Sequence, residues 1–259
     1  MTTRTGRLII NADDWGRDCV TTDSILDCCL KGAVSSVSAM VFMEDSERAA
    51  RIAREQGIEA GLHLNFTLPF SASDLPAGLM DHQQRIARHL LRHRLAQLVF
   101  HPGLIRSFRY VVAAQLDEFS RLYGAAPERI DGHHHMHLCA NVLMQKLLPS
   151  GTMVRRSFSF DRGESSLPKR LCRGLIDRSL ARRHRLADYF FSLAPLEPAS
   201  RLQRICSLSN AFVVEVETHP VNADEYQYLA GGEFLRQFRE ARVGSLAAVR
   251  AATGRGQSL

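Results

Sequence analysis

The chain has 259 residues, 45% of them hydrophobic and 23% charged, with a formal net charge of +6. These values fit a globular protein with a sizeable core and exclude disordered, fibrous and disulfide-scaffold classes. The positive charge is almost all arginine, with lysine only at Lys31, Lys146 and Lys169, and no nucleic-acid-binding motif accompanies it, so no nucleic-acid partner is expected.

In chain order, "GRLIINADD" (6–14) predicts a strand ending in polar residues. "VTTDSILDCCLKG" (20–32) predicts a helix closed by Gly32. A second strand fits "AVSSVSAMVFM" (33–43), a helix "EDSERAARIAREQG" (44–57) and a third strand "IEAGLHLNF" (58–66). After a Pro-containing loop, helices are expected over 81–100 and 105–123, then a strand in "ERIDGHHHMH" (128–137) and a helix in "CANVLMQKLL" (139–148). Shorter strands fit "GTMVRRS" (151–157), "ADYFF" (187–191) and "AFVVEVETHP" (211–220), with helices over 166–183, 199–208 and 232–242. Strands alternating with helices imply βαβ units around a parallel sheet. About seven units in one unbroken chain, with no Gly-rich phosphate loop after the first strand, point to a single-domain, TIM-barrel-like (β/α) barrel over 1–259.

The six cysteines form no CxxC pair and read as free thiols in a reducing compartment. The first apolar run is too short for a signal peptide, and none reaches the roughly 18 residues that span a bilayer. A cytoplasmic location is therefore expected.

Polar residues gather at the predicted strand ends: Asp13 and Asp14, His63 and Asn65, the histidines of "DGHHHMH", and Glu217 with His219. In a parallel barrel these ends converge on the face that carries the active site. Strict strand alternation would put Asp131, His133, His135 and His137 on one side and His134 on the other. It would also separate Asp13 from Asp14, unless the strand loses regularity at its end. Two imidazoles and a carboxylate on rigid strand ends suit a divalent metal with open positions. A second carboxylate can then serve as general base and His219 as a proton donor, the constellation of metal-assisted hydrolysis.

The motifs "NADDWG", "GLHLNF", "DGHHHMHL" and "ETHPV" occur in the order and approximate spacing of the YdjC-like carbohydrate deacetylases, which the chain resembles from about Leu8 to Gly244. That resemblance implies a deformed (β/α) barrel related to the NodB-type deacetylases, and one divalent metal per chain, magnesium or zinc. It implies Asp14, His63 and His133 as ligands, Asp13 as general base and His219 as general acid, acting on an N-acetylated amino sugar. Swapped roles for the two aspartates stay open. Trp15 stands where the family commonly has phenylalanine and is expected to be a bulkier wall for sugar stacking. His135 is expected at the substrate, with Glu217 orienting His219. Asn65 either holds a substrate hydroxyl or closes a turn.

Alternatives from the same residues are a hydrolase of another amide or ester and a non-catalytic sugar-binding barrel. The arginines at 155, 156, 162, 170, 173, 182, 183 and 185 read either as a solvated face or as a contact with a lipid-linked substrate or a membrane surface. Resemblance to the family is weak over 153–191. Homo-oligomerisation stays open.

Overall fold

The computed structural model describes residues 6–93, 95–159, 166–239 and 241–244. The outer ends of the predicted domain, and Arg162 of the basic stretch, lie outside them. The seven strands are β1 (Arg7–Trp15), β2 (Ser36–Ala39), β3 (Ala60–Leu64), β4 (Arg129–Gly132), β5 (Met153–Val154), β6 (Tyr189–Ser192) and β7 (Val213–Thr218). They form one parallel sheet in the order β5-β4-β3-β2-β1-β7-β6. Its two edges meet through few contacts: Val154 N–H donates to Arg185 O at 2.9 Å and Ser159 N–H to Phe190 O at 2.8 Å. The sheet thus curls into the expected deformed barrel, closed only in part.

The helices occupy the connections: α1 (Cys19–Leu30), α2 (Ser46–Gln56), α3 (Leu79–Leu90), α4 (Ile105–Tyr123), α5 (Ala140–Met144), α6 (Leu167–Ala181), α7 (Ala199–Ser209), α8 (Ala223–Ala230) and α9 (Glu233–Gln237). Local chemistry sets their limits. Asp18 caps α1 by accepting from Thr21 N–H at 2.7 Å, and Gly57 ends α2 in the left-handed conformation its missing Cβ allows. The helix expected over 81–100 stops at Leu90, with a 3-10 turn at Ala96–Leu98. The helix expected over 232–242 is the shorter α9.

The two faces of the sheet bury opposite chemistries. Outward residues of the strands, such as Leu8, Ile10, Ala12, Val37, Leu62, Leu64, Ile130, Val214 and Val216, pack under the helices in the main hydrophobic core. Inward, the apolar residues include Phe190 beside Arg155 and a small plug of Ile9, Met153 and Ala187. Above it the period-2 positions read Asn11 and Asp13, Ser36 and Ser38, Arg129 and Asp131, Glu215 and Glu217, all buried. Register aligns these pairs, with His63 opposite Asp131 and Asn11 opposite Glu217. Gly61 belongs to this face because a Cβ there would sit 2.9 Å from Arg129 Nε and Arg129 O.

Candidate active site

Two buried arginines organise the barrel interior. Arg129 Nη1 donates to Asp131 Oδ2 (3.0 Å) and Glu215 Oε1 (3.2 Å), while Nη2 reaches Asn11 Oδ1, Val37 O and Ser38 Oγ. Arg155, whose side chain is 0% exposed, forks onto Asp13 through Nη1 to Oδ2 (2.6 Å) and Nη2 to Oδ1 (2.8 Å). It also contacts Glu215 (2.7 Å), Asp131 (2.9 Å) and Glu217 (3.2 Å). Charges removed from water this way must be paired, and fork geometry pairs carboxylates best. Burial opposes ionisation of Asp13, but the charge and hydrogen bonds of Arg155 hold its pKa below the usual range. Glu217 goes the other way. Burial, with Asp13, Glu215 and Asp131 close by, raises its pKa to about 9 despite Arg155, so it stays protonated at neutral pH.

Asp14, His63 and His133 meet at the mouth, their nearest donor atoms within 4.8 Å of one another. Asp14 Oδ1 lies 3.3 Å from His63 Nε2 and 3.0 Å from His133 Nδ1. Two ligands at about 2.1 Å from a tetrahedral ion are roughly 3.4 Å apart, so the spacing fits a metal. His63 Nδ1 donates to Asp131 Oδ1 at 2.8 Å, a carboxylate contact that would fix the imidazole and leave its other nitrogen free for an ion. Without a cation, burial disfavours a charged His63, yet Asp13 and the hydrogen bonds to Asp131 and Asp14 raise its pKa to about 10. This concentration of negative charge is what a divalent cation would neutralise. Asp14 remains ionised against burial through its bonds to His133 and His63. Asp13 lies beside this trio, grouped with His63 and Asp131 within the same 4.8 Å.

Backbone strain makes the arrangement. Asp14 has φ 68°, and the β1–β2 register slips between Ala12 and Trp15. Left-handed backbone costs about 1–2 kcal/mol for a residue with a Cβ, and here it turns Asp14 to the same mouth as Asp13. The histidine run does the same more sharply. β4 ends at Gly132, and His133–Leu138 forms a 3-10 segment in which His134 (φ 53°) and His135 (φ 56°) are both left-handed. The strict alternation expected for this run therefore fails beyond Gly132. His133 reaches the ligand cluster, with His134 against it at 4.1 Å between ring centroids. His137 folds back into the core, where Nε2 donates to Arg155 O at 3.0 Å, and burial lowers its pKa to about 4.

Three comparisons bear on these residues. A family model described as YdjC-like protein matches residues 7–249. The chain belongs to the YdjC-like family. A chitooligosaccharide deacetylase of Proteus mirabilis (strain HI4320) is 32% identical over 152 residues, covering 55% of this chain and 57% of that protein. A carbohydrate deacetylase of Mus musculus is 31% identical over 142 residues, covering 52% and 44%. The chain spans about half the length of the curated relatives it matches. Among solved structures, a protein described as a candidate for cellobiose-phosphate cleavage, from Enterococcus faecalis V583, matches with TM-score 0.57 and 20% identity over 97% of this chain and 95% of that one. That likeness supports the fold alone.

The YdjC-like site differs from the sequence expectations in several places. Trp15 is fully buried in the hydrophobic core, because the slip beside Asp14 turns it under the helices, so it is no sugar wall. Asn65, also fully buried, closes a turn: Oδ1 accepts from Thr67 N–H (3.1 Å) and Leu68 N–H (2.9 Å), and Nδ2 donates to Leu68 O (2.7 Å). Glu217 faces Arg155 and His135 rather than orienting His219. Glu225 instead fixes the backbone there, accepting from the main-chain N–H of His219 at 2.9 Å and from Thr218 Oγ1 at 2.6 Å. His219 is half-buried. Burial and the neighbouring imidazole of His133 depress the pKa of His134.

His135 remains at the opening, its side chain 31% exposed. Its ring meets Phe158 (4.7 Å) and Phe190 (5.8 Å) edge-on, and those two rings stack at 4.6 Å. Burial and the charge of Arg155 lower its pKa to about 3, so it is neutral. Arg155 is the largest correction: the sequence places it in a basic surface stretch, whereas it is the hub of the interior. A signal existed in the alternation "VVEVET", where two acids point inward from a valine-rich strand and demand a buried cation.

Proposed function

We propose that this YdjC-like chain is a metal-dependent hydrolase that removes the N-acetyl group from an amino sugar. The observation that supports this most directly is the meeting of Asp14, His63 and His133 beside the ionised Asp13. The names of the relatives give the substrate class, an N-acetylated carbohydrate.

Asp14, His63 and His133 would hold one divalent ion. Two imidazole nitrogens favour zinc over magnesium, which prefers oxygen donors. Such an ion supplies Lewis acidity, polarising an amide carbonyl and making water nucleophilic near neutral pH. Asp13, fixed by Arg155, accepts the proton of the attacking water. His219 delivers a proton to the departing amine, so that it leaves neutral. Neutral His135 and the half-buried Phe158 wall the opening, and aromatic faces suit the apolar face of a pyranose ring.

The test is acetate release from N-acetylglucosamine compounds that are free, oligomeric or lipid-linked, before and after metal stripping and re-addition. Metal-dependent release from any of them is expected. One metal bound per chain with no release, but with sugar affinity, would point instead to a binding protein. Asp13→Ala is expected to abolish release while metal content stays at one per chain. Loss of the metal would mean that Asp13 and Asp14 exchange roles.

A further inference from the structure

We infer that helix α6 is a docking surface for an anionic lipid bilayer. The inference stands apart from the deacetylase reading, since none of its residues belongs to the site. Leu167, Leu171 and Leu175 are 72%, 70% and 66% exposed. Four-residue spacing puts them on one helical face, each about 40° from the last. Arg178 and Arg182 fall between them in projection and Arg170 at their margin, all exposed. From Ser166 to Arg185 the chain carries seven cations and a single acid, Asp177.

That acid is buried and turned toward the protein. Asp177 accepts from Arg156 (3.1 and 2.8 Å) and from Ser157 N–H (2.9 Å), and with Leu180 it anchors α6 to the protein. The helix is thereby held by one side and presents leucines and arginines on the other. A second feature adjoins it: a cavity of about 70 Å³ between α5 and α6, lined in part by Lys146, Ser179, Arg183 and His184.

Interleaved leucine and arginine on one face match the two layers of a membrane interface. The apolar side chains enter the acyl boundary, and the guanidinium groups stay among the phosphates. A second copy of the chain fits less well, because two-fold pairing of this face sets arginine against arginine. Nucleic acid would satisfy the arginines and leave the leucines in water.

The experiment is co-sedimentation of the full chain with vesicles of phosphatidylcholine alone and of phosphatidylcholine mixed with phosphatidylglycerol, at low and high salt. Binding is expected to the mixed vesicles only, weakening as salt screens the arginines. Leu171→Gln/Leu175→Gln and Arg170→Gln/Arg178→Gln should each lower the bound fraction about tenfold or more. Both pairs are exposed, so unfolding midpoints and acetate release from a soluble amino sugar should match the parent.

Exposed Cys172 gives an independent readout. An environment-sensitive dye placed there in a Cys19→Ser background should shift to the blue on addition of mixed vesicles. No binding to mixed vesicles at low salt, or equal binding by all variants, overturns the proposal. So does a parent dimer that Leu171→Gln/Leu175→Gln dissociates while vesicles go unbound, since that names a second copy as the occupant.

Discussion

The two faces of one sheet are built to opposite rules. The outer face stabilises by apolar burial: Leu8, Ile10, Leu62 and Ile130 disappear beneath helices, and each contributes by contact with neighbours that are equally apolar. The inner face holds Arg129, Arg155, Asp13, Asp131, Glu215 and Glu217 away from water, an arrangement that stabilises only while every partner is present. Because the outer core holds the strands together, the inner positions are free to serve chemistry. The difference also predicts how each face fails. Outer substitutions should lower stability and spare the activity of folded molecules, whereas inner ones that remove a charge partner of Asp13 should strike both.

The largest effect is expected from Arg155→Met. It strands Asp13 as a buried carboxylate without its cation and leaves Glu215 to Arg129 alone, which costs about 3–5 kcal/mol, and it frees Asp13 from its fixed orientation. Urea unfolding together with acetate release would show both losses. Retained activity in folded Arg155→Met would remove Arg155 from its positioning role. On the outer face, Ile10→Ala should cost about 2–5 kcal/mol through lost transfer energy and a cavity, with acetate release per folded molecule unchanged. A drop in that specific activity would mean that the two faces are not independent.

Glu217→Gln tests the protonated acid. The folded state raises the Glu217 pKa from an ordinary value of 4.5 to about 9. Between those values the folded chain keeps a proton that the unfolded chain releases, so stability falls as pH rises. The amide cannot titrate. In chelator-treated protein, Glu217→Gln should therefore gain stability over the parent as pH climbs from about 5 to about 9, and identical pH slopes would contradict the assignment. The smallest effect belongs to Ser38→Ala. Its hydroxyl donates to Asp131 Oδ2 (2.5 Å) and accepts from Asn11 Nδ2 and Arg129 Nη2 (2.7 Å each). Asn11 Nδ2 keeps its bond to Asp13 and Arg129 Nη2 its bonds to Asn11 Oδ1 and Val37 O, so the loss is about 0.5–1.5 kcal/mol for each bond removed. Metal affinity should hold, because the bond between Asp131 and His63 is untouched.

The sheet, most of its strands and the convergence of the strand-end polar residues were legible in the sequence for local reasons, and the choice of Asp14, His63 and His133 among them came from the family resemblance. Alternating apolar runs mark strands, amphipathic runs mark helices, and the parallel barrel brings strand ends together. Asp13, Asp14, His63 and His133 therefore converge from motifs that are far apart in the chain. The histidine run misled because periodicity assumes that a strand continues, and nothing in "HHHMH" announces two left-handed residues. His137 was thus expected beside His133 and instead supports the carbonyl of Arg155.

Trp15 and Asn65 show the same limit at the ends of β1 and β3, where a slipped register and a closed turn decide direction. Among the described residues no helix is long and apolar enough to cross a membrane. The basic stretch then splits in three dimensions, with Arg155 turned into the barrel, Arg156 bound to Asp177, and the arginines of α6 left outside.

By itself the sequence determined the element types, the parallel sheet and the gathering of Asp13, Asp14, His63 and His133 at strand ends, because periodicity and residue chemistry are local properties. Only the tertiary structure decided which way Asp14 and the histidines point, that burial among other acids raises the pKa of Glu217, and that Arg155 holds Asp13. Those outcomes depend on backbone conformation at strand ends and on charges brought together from distant strands in a space without water, and neither is written in any single segment.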